Sequence, residues 1–572
     1  MASANGRFWI VYNGEVYNHG EIRAELEGLG RQFESHCDTE VLLAGYAEWG
    51  TAVLDRLIGM RAFAIYDSTQ NKLILCRDRF GIKPLYYRAG SDGSLAFGSE
   101  IKQFTTMPDW RAAMNGQRVY DFLVHGISDH SDDTMFAGVR QIPPGHLAVI
   151  DCAAPLAGMQ AGRIPTSRWY QLRPRPFDGS FDEACTAFRE RFLDSIRLHM
   201  RSDVRIGSCL SGGLDSSSIV CSASGLLGEM EPGARMLTFS ACAENPRYDE
   251  RKWIEVVTRA TGAQPHYVYP DARRLFEDAR AILWHQDEPY GSTSIYAQWK
   301  VFRLAAEHRI KVMLDGQGAD EQLAGYHSFF GPHLASLLKR RRLPELFREA
   351  VAMRELHGYG LAMLLKYLAA SMLPESQIAL LRSIGGYGSN TPAWLDLSLL
   401  GATPRNPHLV GGSRPSSVEE LSAAQLTGSN LQMLLHWEDR NSMASSIESR
   451  VPFLDHRLVE FVLGLPTEHK LRHGVTKRVL RGAMKDLVPQ PICNRMDKLG
   501  FVTPEEIWLR QEQPAQFRAA TERAIEASGG LLRGDATRRL LGDVISGERR
   551  FTFTPWRIIC FGEWISLFGV GK

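Results

Sequence analysis

The chain has 572 residues, with 66 basic against 65 acidic side chains, a formal net charge of +1, 44% hydrophobic and 23% charged residues. That length exceeds what one compact core holds and predicts roughly two to four folding units. The balanced charge gives no reason to expect nucleic acid or a membrane surface as a partner. The opening MASANGRFWIVYNGEV has no basic segment leading into an apolar core, so it does not read as a signal peptide. No apolar run reaches membrane-span length; the richest, Leu361 to Leu373, carries Lys366. Nine cysteines, odd in number, scattered and without CxxC spacing, predict free thiols in a reducing cytoplasm. Cys37, Cys76, Cys209 and Cys242 read as small buried hydrophobes.

In chain order, Phe8–Tyr12, Ala62–Tyr66 and Lys72–Cys76 are aromatic and β-branched runs of strand length. Between the first two lies a predicted helix with Asn18 and Glu21 as a capping box, an apolar face of Ile22, Leu26 and Leu29, and a stop at Gly30. Pro, Gly and small residues from Pro143 to Pro176 mark a connecting region, and the division reads as a domain over 1–145, a linker over 146–180 and a domain over 181–572. From Phe181 onward strands alternate with helices. Val204–Leu210, Met236–Ser240, His266–Tyr269 and Lys311–Leu314 are strand-like, and Asp249–Thr261 is an amphipathic helix. That alternation predicts an α/β domain built on a parallel sheet. Residues 330–430 read as helical and loop-rich.

The most informative stretch is Ser211–Ser217, SGGLDSS, set between a strand and a helix. Adjacent Gly212 and Gly213 let backbone N–H groups approach a ligand, Ser211, Ser216 and Ser217 add hydroxyl donors, and a helix N-terminus adds positive charge, all of which suit a phosphate. Asp215 is out of place beside phosphates unless a cation lies between them, so it is assigned to Mg²⁺. A glycine turn capped by Asp215 is the plain alternative, and the strand-to-helix setting weighs against it. No lysine follows the glycines, so this is not the loop of the common NTPases. It resembles the pyrophosphate loop of enzymes that cleave ATP between the α- and β-phosphates.

With that loop placed, nearly the whole chain, from Gly6 to Trp564, resembles the glutamine-hydrolysing asparagine synthetase family. Asp315–Tyr326, DGQGADEQLAGY, is similar to that family's second nucleotide loop. The resemblance implies Asp320 as the second Mg²⁺ carboxylate, with Asp315 and Gly316 flanking the nucleotide. Leu210 and Ala241 match nucleotide-contacting positions, and Gln286–Ser294 is expected to shape the acceptor pocket. Glu438–Asp455, EDRNSMASSIESRVPFLD, resembles the family signature and carries too many polar groups for a simple core helix, which predicts a buried polar network. Within Gly474–Arg481, GVTKRVLR, Lys477 stands where the family places a catalytic lysine. The implied chemistry is attack of aspartate on MgATP to give β-aspartyl-AMP and pyrophosphate, then displacement of AMP by ammonia. ATP and Mg²⁺ are the implied cofactors, and the partners are the small molecules aspartate, ATP and glutamine or ammonia; a homodimer is allowed. Gln317 departs from the pattern: many members have there a glutamate linked to forming the adenylate, and an amide cannot act as base. That departure leaves open a related amide ligase acting on another carboxylate or amine in specialised metabolism.

The first part of the chain resembles the class II glutaminase domain, an α+β sandwich of the N-terminal-nucleophile type. Asn13, Gly14 and Glu15 match the segment that forms the oxyanion hole and binds glutamine, and Asp38 matches the residue that holds its α-amino group. Read plainly, Asn13-Gly14 is a turn signal and Asp38 a helix N-cap. The runs Arg77–Tyr86, RDRFGIKPLY, and Phe97–Glu100, FGSE, strengthen the resemblance. The family's nucleophile is an N-terminal cysteine, whereas this sequence begins at Met1 and its first cysteine, Cys37, is internal. The domain is therefore expected to be incomplete, from a start at an internal methionine or from loss of the activity. The first accounts better for the surviving glutamine-site residues, and in either case the sequence as written is expected to use ammonia.

Overall fold

A computed structural model describes residues 1–571 except 91, 154–161, 375–376, 379–390, 409–413, 429 and 498–501. The chain divides into two compact units, one of residues 1–115, 131–173 and 571, the other of residues 116–130 and 174–570.

In the first unit, β1 (Phe8–Val16), β2 (Gly59–Asp67), β3 (Lys72–Arg77), β7 (His146–Asp151) and β8 (Ser167–Arg168) form an antiparallel sheet in the order β1-β2-β3-β7-β8. A second antiparallel sheet has β4 (Tyr86–Ala89) between β5 (Leu95–Gly98) and β6 (Val139–Gln141). The two-residue side-chain period gives the larger sheet two apolar faces. Ala62, Ala64 and Leu75 pack against Leu85, Tyr87 and Ile142. On the other face Phe8, Ile10, Phe63 and Ile65 pack under Ile22 and Leu26 of α1 (His19–Gly28) and Val41 and Leu42 of α2 (Asp38–Trp49).

Several local expectations are corrected here. Asn18 caps α1 by position, but its side chain instead accepts from Ile58 N and donates to Arg56 O, so no capping box closes. Leu29 lies beyond the helix and is exposed. Asn13-Gly14 is not a turn: both sit inside β1, paired with Ala62 and Arg61. Asp38 is the first residue of α2, not its N-cap. The segment read as a linker starts with β7, which pairs with β3 from Cys76↔Leu147 to Lys72↔Asp151, because the alternating His146–Asp151 can bury its apolar side only in this sheet.

In the second unit, β9 (Ile206–Cys209), β10 (Leu237–Ala241), β11 (Gln264–Val268), β12 (Val312–Leu314) and β13 (Glu448–Arg450) form a parallel sheet ordered β11-β10-β9-β12-β13. Helices cover both faces. Phe188, Phe192 and Ile196 of α3 (Phe181–His199), Ile219 and Val220 of α4 (Leu214–Met230), and Ile254 and Val257 of α5 (Arg251–Thr261) fill one side. Val301 and Phe302 of α6 (Ser294–Glu307) meet Cys209, Phe239 and Met313 on the other. Residues 330–430 do supply helices, among them Phe330–Lys339, Leu343–His357 and Val418–Thr427. The chain leaves β9 for β10 on one side and comes back to β12 on the other. The carboxyl ends of β9 and β12 therefore flank a topological switch point, where open α/β sheets take ligands. Among the described residues, no helix is long and apolar enough to cross a membrane.

Candidate functional site

A pocket of about 320 Å³ opens at that switch point. Ser211, Gly213, Asp215 and Ser216 of the first loop line it, together with Asp315, Gly316, Gln317 and Asp320 after β12, and Thr476 and Lys477. Helix α4 starts at Leu214, directly after the two glycines, and its first residues Leu214, Asp215 and Ser216 line the pocket, which sets a helix N-terminus against it. Gly212 has φ +68, and a Cβ there would lie 2.5 Å from Trp253 Cβ, so glycine is needed both for the turn and for the close packing. The loop is tied by its own serines: Ser216 Oγ lies 3.1 Å from Ser211 Oγ and accepts from Ser211 N at 3.2 Å.

Lys477 comes from far along the chain, at the entry to the helix Arg478–Met484, with a left-handed φ of 54°. Its Nζ lies 2.5 Å from Asp215 Oδ2 and 2.7 Å from Asp320 Oδ1. Burial by itself would lower this lysine's pKa, but the two carboxylates outweigh it and hold the ammonium above its ordinary value. Gly325 makes room for this triad, since a Cβ there would fall 1.9 Å from Asp320 Oδ1 and 2.4 Å from Lys477 Cε. Two carboxylates converging on one cationic position form a hard-oxygen donor set that also fits a divalent cation.

The remaining expected residues divide. Leu210 and Ser217 are buried beside the pocket without lining it, as members of the strand end and the first helical turn. Gly212 and Ala241 also lie off its lining. Of Gln286–Ser294 only Ser294 reaches the pocket. Gln286 is instead buried, donating to Trp437 O and Asn441 Oδ1. The expected polar network in Glu438–Asp455 is present: Asn441 Nδ2 donates to Gln298, Arg440 pairs with buried Asp287, and Ser449 donates to Glu438.

Sequence reasoning missed two arginines. Arg481, one helical turn past Lys477, lines the pocket, and the 3.6-residue period could have flagged it. Arg495 also lines it, donating to Gly212 O at 3.1 Å and pairing with Glu250 at 2.7 Å. Burial pushes Glu250 up to about 7 despite that partner.

In the first unit, Asp38 Oδ2 accepts from Tyr12 OH and from Val16 N, each at 2.9 Å, which fixes the carboxylate against β1. Asn13 Nδ2 donates to Ser99 Oγ at 3.1 Å. Gly14, at φ +150°, passes so close to β2 that a Cβ would lie 2.1 Å from Met60 O. Glu15 follows in the same strand, opposite Met60. Thus β1 and the Phe97–Glu100 segment are brought together around Asn13. Cys37 is half-buried, with Sγ 3.1 Å from Ser35 Oγ, rather than a core residue. All nine cysteines are free.

Residues 187–566 match the Asparagine synthase family, and residues 1–157 match the Glutamine amidotransferase domain family. Asparagine synthetase [glutamine-hydrolyzing] 1 of Bacillus subtilis is 29% identical, covering 98% of this chain and 85% of its own length. A putative asparagine synthetase [glutamine-hydrolyzing] of Mycobacterium bovis is 30% identical over 99% of this chain and 85% of its own. Amidase chry2 of Gibberella zeae is 25% identical, covering 88% of this chain and 78% of its own.

Proposed function

The chain belongs to the asparagine synthase family and is an ATP-dependent amide ligase of the glutamine-hydrolysing type, and from this we propose that it makes asparagine from aspartate by way of β-aspartyl-AMP. The observation that carries the reading is Lys477, held between Asp215 and Asp320 at the mouth of the pyrophosphate loop. The aspartate side-chain carboxylate forms a bond to the α-phosphorus of ATP as the bond to the β-phosphate breaks, and pyrophosphate leaves. The amine nitrogen then bonds to the acyl carbon as the bond to AMP breaks. A carboxylate has no good leaving group, and the mixed anhydride supplies one.

Ser211, Gly213 and Ser216 hold the departing phosphates with backbone and hydroxyl donors at the start of α4. Lys477 meets the charge that grows as pyrophosphate separates. Leu210, Gly212, Ser217 and Ala241 back the nucleotide site, Asp315 and Gly316 flank the nucleotide, and Gln317 stands where the adenylate forms. Asp215 and Asp320 would hold Mg²⁺, which when bound supplies neutralising charge to the phosphates. Asn13, Gly14, Glu15 and Asp38 would hold glutamine where glutamine is the nitrogen source. Nine free thiols accord with a cytoplasmic setting.

A second reading, an amide ligase for another carboxylate or amine, is favoured by Gln317 in place of a glutamate and by the relatives named as amidases. One experiment separates the two: pyrophosphate release with MgATP and either aspartate or a panel of other carboxylates, supplied with ammonium or with glutamine, and product identification by mass. Asparagine formed in either arm supports the first reading. Pyrophosphate release only with other carboxylates supports the second.

A further inference from the structure

Lys477 enters the pocket from a turn that a buried carboxyl outside the pocket holds. Arg472 N donates to Val475 O at 3.2 Å and Val475 N to Arg472 O at 3.0 Å, closing a tight turn over His473 and Gly474. His473, Gly474 and Lys477 stand in the left-handed region, at φ 52°, 69° and 54°. That backbone is unfavourable for residues with a side chain, so the surroundings must hold it. The helix Leu343–His357 does so. Glu349, 4% exposed, accepts from His473 N at 2.6 Å through Oε1 and from Gly474 N at 2.9 Å through Oε2. Two turns on, His357 Nε2 lies 2.9 Å from Gly474 O, and because a carbonyl only accepts, the imidazole donates. The turn also lies close on the helix, since a Cβ on Gly474 would meet Ala352 C, Met353 N and Leu356 Cδ1 at 3.4 Å. Thr476 and Lys477 follow and line the pocket, whereas Glu349 and His357 do not.

We infer that Glu349 and His357 are positioning residues for adenylation: they grip the N–H and C=O groups of the His473–Gly474 turn and so fix the point from which Lys477 reaches between Asp215 and Asp320. This rests on the proposed adenylate-forming reading of the pocket. Neither residue touches a reacting atom; both act through the backbone that carries Lys477. Lys477 N itself donates to Leu323 O at 3.3 Å, a long contact that holds the backbone less firmly than the bonds at the turn. Burial by itself would raise the Glu349 carboxyl, but His333, with Nε2 3.6 Å from Oε1, and the two backbone donors outweigh it and hold it below its ordinary value. Glu349 is thus an ionised carboxylate with an oxygen for each N–H, and such charge-assisted bonds are stronger than neutral ones. A glutamine at 349 keeps one acceptor and sets its NH₂ against the other N–H.

The test follows exchange of labelled pyrophosphate into ATP, with aspartate or whichever carboxylate supports exchange in the wild type, and no amine. E349Q, H357F and H357Q are each made in the wild type and in K477M, and a thermal melt establishes that each is folded. E349Q loses roughly tenfold to a hundredfold in kcat while KM for MgATP stays within about threefold, because the Ser211–Ser217 loop that holds the phosphates is not moved. H357F loses roughly threefold to tenfold, and H357Q, which keeps a donor, loses less than H357F. In K477M the same substitutions change exchange by less than about twofold, since no ammonium is left to place, whereas a merely structural role would lower both backgrounds alike. If E349Q does not fold, the two variants of half-buried His357 decide by the same comparison. Exchange within about twofold of wild type in folded E349Q and H357F, or equal losses with and without Lys477, overturns the inference while leaving the proposed function in place. A wild type that performs no exchange with any carboxylate overturns the proposed function and the inference together.

Discussion

Replacing Gly325 by alanine perturbs the site by one methyl group. Gly325 does not have a positive φ, so alanine suits its backbone and would ordinarily be neutral or slightly stabilising. The added Cβ would stand 1.9 Å from Asp320 Oδ1 and 2.4 Å from Lys477 Cε, so the first must retreat by about 1.5 Å and the second by about 1 Å to reach ordinary contact. The 2.7 Å Lys477–Asp320 pair cannot be kept through that movement. A displacement of that size at a charge-stabilising group costs about a hundredfold in rate, or about 2.7 kcal/mol in activation free energy. The overpacking itself costs about 1–3 kcal/mol of stability. The assay is steady-state pyrophosphate release over a range of MgATP concentrations, with a thermal melt to establish folding. A folded G325A enzyme working within threefold of wild type would refute the claim that Gly325 holds open the space for the Lys477 triad.

Further outcomes are expected. K477M loses roughly 10²–10³ in pyrophosphate release, because the pocket keeps its loop but loses its buried cation, and K477R does not restore it; near wild-type rates in K477M would remove Lys477 from the mechanism. Burial pushes Glu505, whose Oε2 accepts from Thr293 N and Oγ1, up from 4.5 to about 7. A carboxyl raised on folding contributes stability that is fully present below about pH 4.5 and lost as pH rises through about 7. The melting temperature of wild type should therefore fall relative to E505Q between pH 5 and 8, and parallel pH profiles would contradict this. G14A, which drives a Cβ to 2.1 Å from Met60 O at φ +150°, destabilises the first unit by about 2–4 kcal/mol, read as a lowered first transition in scanning calorimetry. An unchanged transition would show that β1 and β2 can separate at little cost.

Much of the site was legible in local sequence because a phosphate loop is a local object. Two glycines, three hydroxyls and a helix start must be contiguous to present their donors together, so Ser211–Ser217 declares itself between its strand and its helix. The α/β order was legible for a similar reason, since apolar period and turn residues are encoded within each segment. Local reading failed where a polar side chain had two outlets. Asn18 and Asp38 carry capping chemistry, yet both spend it elsewhere, Asn18 on Ile58 and Arg56 and Asp38 on Tyr12 and Val16. Strand β7 was hidden inside a proline-rich stretch because only its pairing with β3 distinguishes it from a linker. Tertiary structure alone decided that Lys477 would meet Asp215, 262 residues earlier, and that Arg495 would reach the Gly212 carbonyl. Electrostatic partners act over a few ångströms in space whatever their separation along the chain, so composition and spacing supply the charges but only the packed sheet and its helices choose which of them meet.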